Sequence, residues 1–341
     1  MLAAGMSACS ALKSESSSSA SAPHTIAPGK TLTVSTSFYP IQYLAEAIGG
    51  KLVKVSTVTP SNVEPHDFEL SGKETAELGK ADLIAYVPGF QPSLDKAVKE
   101  VGSGPTVVDL SKPANLVHHE GVEEEHEHGE EATDGASATA SAAATAQASE
   151  EGHDEHKDEH SHAEGEEGHD SDLDPHFWLD PDRMIKVAEA LEASFAKIDP
   201  ANANDYKAGL DKLKTALTGV DNQYKQGFTS CQHKTFITSH AAFGYMAERY
   251  GLTQASISGI DPETEPSPAE MANIKSVVEK TGVKTIFTEE LVSDAPAKAI
   301  AAETGAGTDV LSPLESKPES GDYTDAMTTN LDRLKVALAC Q

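Results

Sequence analysis

Outside residues 118–170, short apolar runs with the period of strands alternate with longer stretches of helical period. Residues 31–37 (TLTVSTS), 52–58, 83–87 and 106–110 are predicted strands. Residues 39–48 and 93–101 are predicted helices, and a third opens at Ser71 and Glu74, which have capping-box spacing, and runs to Lys80. Further on, Ile185, Ala188, Leu191 and Phe195 mark a helix that Pro200 interrupts. Tyr206, Leu210, Leu213, Leu217, Val220 and Tyr224 then recur at three- and four-residue steps, which predicts one helix of roughly seven turns. Alternation resumes with strands at 235–238, 254–258, 283–288 and 308–311 and helices at 241–250, 268–280, 295–303 and 323–338. The helix at 268 has a well-specified start in Ser267, Pro268 and Glu270. The βα repetition predicts an α/β protein with mostly parallel sheets, as two lobes joined by one long helix. The expected division is a tether at 1–30, a first lobe at 31–199, a linking helix at 200–229 and a second lobe at 230–341.

Residues 118–170 break the pattern. They hold nine of the fourteen histidines and eighteen acidic residues against one lysine, and so supply −17 of the formal charge of −29. The middle, 132–149, is almost all small residues, which cannot bury enough apolar area to offset the entropy of ordering them. The segment is therefore expected to be a disordered insertion in the first lobe. The acidic balance argues against a nucleic-acid partner, because neutralising phosphates needs a basic face. No run of about 18 apolar residues is present to span a bilayer.

The three cysteines fall at Cys9, Cys231 and Cys340. Cys9 follows small residues and precedes a serine-rich stretch, 13–22, an arrangement that looks like a bacterial lipoprotein cleavage box with a flexible tether. Only a short apolar run, Leu2 to Gly5, stands before it, so residues 1–30 are expected to be a truncated lipoprotein signal and a serine-rich tether. Lipid on Cys9 would leave Cys231 and Cys340 as an even pair, most simply one disulfide in an exported protein, the alternative being two unrelated buried thiols.

Five histidines lie outside the insertion. His24 and His233 sit in polar surroundings and read as surface residues. His66 follows the second predicted strand, His176 lies in Asp-Pro-His-Phe-Trp where order returns after the insertion, and His240 ends a predicted strand. In open α/β sheets ligands bind outside the carboxyl ends of strands. The three imidazoles should therefore meet in one crevice as a metal site; three separate capping histidines are the bland alternative. A fourth ligand is expected beyond the last strand. Glu315 is the nearest carboxylate there, with Asp261, Glu289 and Glu290 as competitors.

The motifs Glu64-Pro65-His66-Asp67, Asp174-Pro175-His176-Phe177-Trp178-Leu179-Asp180, Thr238-Ser239-His240 with Ala242-Phe243-Gly244-Tyr245, and Leu311-Ser312-Pro313-Leu314-Glu315 stand in order. With Asp261 to Ser267 and Phe287-Thr288-Glu289, they make residues 31–340 resemble the zinc-binding lipoproteins of bacterial ABC uptake systems. The resemblance implies two lobes bridged by a rigid helix, a metal in the cleft between them, and delivery to a membrane permease driven by a cytoplasmic ATPase. It implies metal ligation at His66, His176 and His240. Some members add a carboxylate at the position of Glu315; others use water or a Glu directly before the first His. That position is Pro65 here, which favours Glu315.

Manganese receptors of the family carry two histidines and two carboxylates, whereas three imidazoles and one carboxylate suit zinc. The expectation is an exported, lipid-anchored, monomeric zinc receptor on the outer face of the cytoplasmic membrane, periplasmic in a cell with two membranes. The alternatives are a manganese or other first-row metal receptor of the same family, or a zinc-buffering or adhesion lipoprotein acting through the insertion. Catalysis is not expected, since the sequence lacks a His-Glu-x-x-His pair, a nucleophile elbow and a phosphate loop. His118, His119, His126, His128, His153, His156, His160, His162 and His169 form an auxiliary, weaker zinc-capturing set, the alternative being a solvated spacer. Deletion of 118–170 is accordingly expected to leave tight binding of one ion intact.

Overall fold

In the computed structural model, residues 25–119 and 173–341 are described. Cys9 and, of the auxiliary set, His126, His128, His153, His156, His160, His162 and His169 lie outside them.

The first lobe runs β1 (Leu32–Thr36), α1 (Tyr39–Gly49), β2 (Val53–Thr57), α2 (Gly72–Leu78), β3 (Leu83–Tyr86), α3 (Pro92–Val101), β4 (Thr106–Asp109) and the short α4 (Ser111–Ala114). Two antiparallel helices follow, α5 (Pro181–Ile198) and α6 (Ala203–Gly227), separated by a single tight turn at Pro200–Asn202 where the sequence carries its proline. The second lobe runs β5 (Thr235–Thr238), α7 (Gly244–Tyr250), β6 (Thr253–Ser256), α8 (Pro268–Thr281), β7 (Thr285–Thr288), α9 (Ala295–Thr304), β8 (Gly307–Val310) and α10 (Tyr323–Ala337). Each lobe holds a four-stranded, all-parallel sheet, ordered β2-β1-β3-β4 and β6-β5-β7-β8. In both, the order reverses beside the first strand of the lobe, which leaves a crevice at its carboxyl end.

The capping boxes at Ser71 and Ser267 both form, with each serine accepting from the backbone of its glutamate. Most predicted strand and helix ends shift by one or two residues, and one moves further. The helix expected from residue 241 begins at Gly244, because the turn before it bonds elsewhere: Ala241 N–H donates to Gly259 O, and Phe243 N–H to Gln254 Oε1.

The long helix α6 is not a free strut. It packs on α1 and α5 of the first lobe and on α10 of the second. At Gly209 it touches the turn of α1 so closely that a Cβ would lie 2.2 Å from Ile48 O, a contact only glycine permits. The cluster that runs from Leu32, Phe38 and Trp178 through Tyr206 and Tyr224 to Phe243, Leu311, Leu314 and Tyr323 joins the two sheets, while smaller apolar clusters form around Ile237 and Ile286 and around Ile84 and Leu94. Tyr43 of α1 stacks on Tyr323 of α10, ring centres 5.1 Å apart. Cys231 and Cys340 form a disulfide that fastens the end of α10 beside the entry to β5.

Candidate metal centre

Four loops at the carboxyl ends of the two sheets meet at one point. His66 comes from the loop after β2, His176 from the turn before α5, His240 from the end of β5, and Glu315 from the loop after β8. All four are buried and offer ligand atoms within 4.8 Å of one another. His176 Nε2 lies 3.2 Å from His66 Nε2 and 3.3 Å from His240 Nε2. Glu315 Oε1 lies 3.4, 3.3 and 3.6 Å from the Nε2 atoms of His66, His176 and His240.

Each side chain is aimed by a buried neighbour. Asp174 Oδ1 takes both the backbone N–H (2.9 Å) and the Nδ1–H (2.7 Å) of His176, which leaves the Nε2 lone pair facing the cleft. Glu289 accepts the backbone N–H of His240 through Oε1 at 3.1 Å. Its Oε2 sits 2.6 Å from His240 Nδ1, off the line of a ring N–H bond. Thr238 Oγ1 and Gln254 Nε2 donate to His240 O. His66 is held by its N–H to Glu64 Oε1 and by the edge-on ring of Phe90; Gln91 donates to Pro65 O just before it. Glu315 follows Leu314, a bulky buried residue at φ 60°, where side chains other than glycine are strained. The turn is clamped from both lobes. Trp178 Nε1–H donates to Pro313 O at 2.7 Å, and Asn330 of α10 both accepts from Ser312 N–H and donates to Ser312 O.

The electrostatics belong to a cation site. Burial would raise the Glu315 carboxyl, but three imidazoles hold it well below the usual range. Burial opposes charge on His176 and His240, yet Asp174 and Glu289 outweigh it and raise both; His66, with less acidic company, is lowered by burial. Glu64 is pushed up to about 7 by burial. A metal ion bound here would displace the protons that His176 and His240 hold.

The competing carboxylates go elsewhere. Asp261 is on an exposed turn, where it accepts from Glu263 N–H. Glu289 stands behind His240, and Glu290 lines a cavity of about 660 Å³ that opens beside Glu315. Of the auxiliary histidines, His118 is exposed, whereas His119 packs against Asp174. The supporting roles of Asp174, Glu289 and Asn330 escape a sequence reading, although Asp174 and Glu289 fall inside motifs it singles out.

Two parallel-sheet lobes have three imidazoles and a carboxylate meeting between their strand ends, a group that could hold one metal ion in the cleft. The chain belongs to the ZnuA family, described as zinc-uptake complex component A, periplasmic, whose model matches residues 34–337. It is 37% identical over 317 residues to the high-affinity zinc uptake system protein ZnuA of Bacillus subtilis, covering 91% of this chain and 88% of that one. It is 34% identical over 329 residues to the zinc-binding protein AdcA of Streptococcus pyogenes, covering 92% of this chain but 57% of that one. The chain thus spans little more than half the length of some of the relatives it matches. The structure of the metal-dependent lipoprotein YcdH of Bacillus subtilis superposes with a TM-score of 0.67 at 31% identity, over 90% of this chain and 99% of that one.

Proposed function

We propose that this protein is the extracytoplasmic zinc receptor of an ABC importer. It captures one Zn²⁺ through His66, His176, His240 and Glu315 and presents it to a membrane permease powered by a cytoplasmic ATPase. The donor spacing carries the reading. Tetrahedral zinc with bonds of ~2.0–2.1 Å needs ligand atoms ~3.3–3.4 Å apart. Five of the six separations lie between 3.2 and 3.6 Å, and all four ligand atoms lie within 4.8 Å of one another. Three nitrogen donors and one oxygen favour zinc over manganese, which prefers oxygen-rich, octahedral surroundings. The protein's work is capture and docking rather than bond-breaking.

The lobes divide at 31–199 and 230–341 around the helix at 200–229, and the receptor acts as a monomer. Among the described residues no helix is long and apolar enough to cross a membrane. Lipid on Cys9 would hold the protein at the outer face of the cytoplasmic membrane, with the acidic, histidine-rich segment gathering zinc loosely nearby. Titration of chelator-stripped protein with zinc and manganese in parallel tests the reading. One tight zinc equivalent, unmatched by manganese and lost in His66→Ala and His240→Ala, is the expected result. Tight manganese binding would assign the protein to the manganese receptors instead, and tight zinc binding indifferent to both substitutions would transfer the function to the insertion.

A further inference from the structure

His119 is the last described residue before the acidic, histidine-rich segment, and by sequence it belongs with the loose zinc binders. Its ring lies elsewhere. His119 Nδ1 is 2.7 Å from Asp174 Oδ2, and the other oxygen of the same carboxylate takes the Nδ1–H of His176 at 2.7 Å. Asp174 is wholly buried, so the two rings between them occupy both of its oxygens. The far edge of His119 points outward, with Nε2 3.5 Å from the exposed Glu248.

The ring sits in a fitted seat. It stands edge-on to Tyr245, centres 4.4 Å apart, and Tyr245 Oη in turn donates to Asp174 O and accepts from Val117 N–H. At Gly244 a Cβ would lie 2.6 Å from His119 Cγ, so glycine is required there for the ring to reach Asp174.

We propose that His119 is a positioning residue of the metal centre: by donating Nδ1–H to Asp174 it fixes the carboxylate that orients His176 toward the ion. The chain His119–Asp174–His176 crosses from the start of the insertion to the cleft, and Gly244 and Tyr245 of the second lobe complete it. A carboxylate with one oxygen unheld can rotate, and His176 Nε2 would then swing off the common point of the four donors. Supporting partners of metal-bound histidines typically change metal affinity by ~10–100-fold. The proposal rests on the cleft being the zinc site.

The test is zinc affinity in the full chain, measured by competition with a chelator, together with the visible absorption of the Co²⁺-substituted protein, which reports ligand geometry. His119→Ala should weaken the tight site by ~10–100-fold and alter the Co²⁺ bands. In His119→Asn the amide nitrogen takes the place of Nδ1 but nothing replaces Nε2, so this variant should recover most of the affinity and the native spectrum. Gly244→Ala, which touches no ligand, should reproduce the loss by displacing the ring. Deletion of 120–170 should leave the tight site intact, whereas deletion of 118–170, harmless on the sequence alone, should weaken it as His119→Ala does, because it also removes His119. Unchanged affinity in His119→Ala, or His119→Asn as weak as His119→Ala, would overturn the proposal, the latter by showing that Nε2 is the working atom. Should His66→Ala leave the tight site unaffected, the cleft assignment itself would fall, and this inference with it.

Discussion

Trp178 is the single tryptophan of the chain and ties together the segments that carry two of the proposed ligands. It lies two residues beyond His176, is fully buried, and packs edge-on against Phe38 with ring centres 4.7 Å apart. Its indole N–H donates to Pro313 O, two residues before Glu315, and its own carbonyl accepts from Tyr323. Trp178→Phe keeps the aromatic contact and removes the donor. A buried carbonyl left without its partner costs ~1–3 kcal/mol. The space left by the missing ring adds ~1 kcal/mol, a fraction of the ~3–5 kcal/mol typical of complete truncation to alanine. A destabilisation of ~2–4 kcal/mol is expected, read from the urea midpoint by far-ultraviolet circular dichroism because the variant has no tryptophan fluorescence. Zinc affinity should fall as well, since the strained turn at Leu314 loses the clamp that holds Glu315 among the imidazoles. A stability change below ~0.5 kcal/mol, within the range of ordinary surface substitutions, together with unaltered zinc binding, would refute the claim that this bond couples the two loops.

Replacing Cys231 and Cys340 together by serine opens a loop of 109 residues and should cost ~2–4 kcal/mol in urea unfolding; an unchanged midpoint would show that the bond does not constrain the unfolded chain. Asp82 gives a pH signature. Burial alone would raise its carboxyl, but Lys30 and the Thr33 hydroxyl and N–H hold it down to about 2. A carboxyl depressed on folding stabilises the native state above its unfolded value near 4 and ceases to do so as pH falls through 2. The stability gap between wild type and Asp82→Asn should therefore be constant near neutrality and close between pH 4 and 2; a gap that persisted at pH 2 would contradict the assignment. Finally, the core that runs from one sheet to the other and the seating of helix α6 on α1 oppose rotation of one lobe against the other. Solution scattering should give apo and zinc-loaded protein the same radius of gyration within error, and a large contraction on loading would overturn this.

What the sequence made legible was local. Strands and helices with a clear period fall within a few residues of their expected positions, because a two- or 3.6-residue repeat is written in neighbouring residues. His66, His176 and His240 could be grouped because all three lie at predicted strand ends or order boundaries, and parallel sheets collect ligands there. The contacts that aim those rings are another matter. Asn330 on Ser312, Trp178 on Pro313 and Tyr245 on Asp174 join residues far apart in the chain and leave no periodic trace. Glu289 could be noticed as a carboxylate near the site, but only the direction of its side chain shows it standing behind His240 rather than beside it. His119 was obscured by its company, since nine histidines in one acidic stretch read as a single set. The turn at 241–243 reads as helix from its alanines, and hydrogen bonds to Gly259 and Gln254 decide otherwise.

The central claim is that one zinc ion is held by three imidazoles and Glu315 in the cleft. Anomalous diffraction at the zinc edge, from crystals of protein loaded with one equivalent, tests it directly. The account predicts one strong peak at ~2.0–2.2 Å from the Nε2 atoms of His66, His176 and His240 and from Glu315 Oε1. A peak outside the cleft, or one in the cleft with Glu315 turned away, would contradict it.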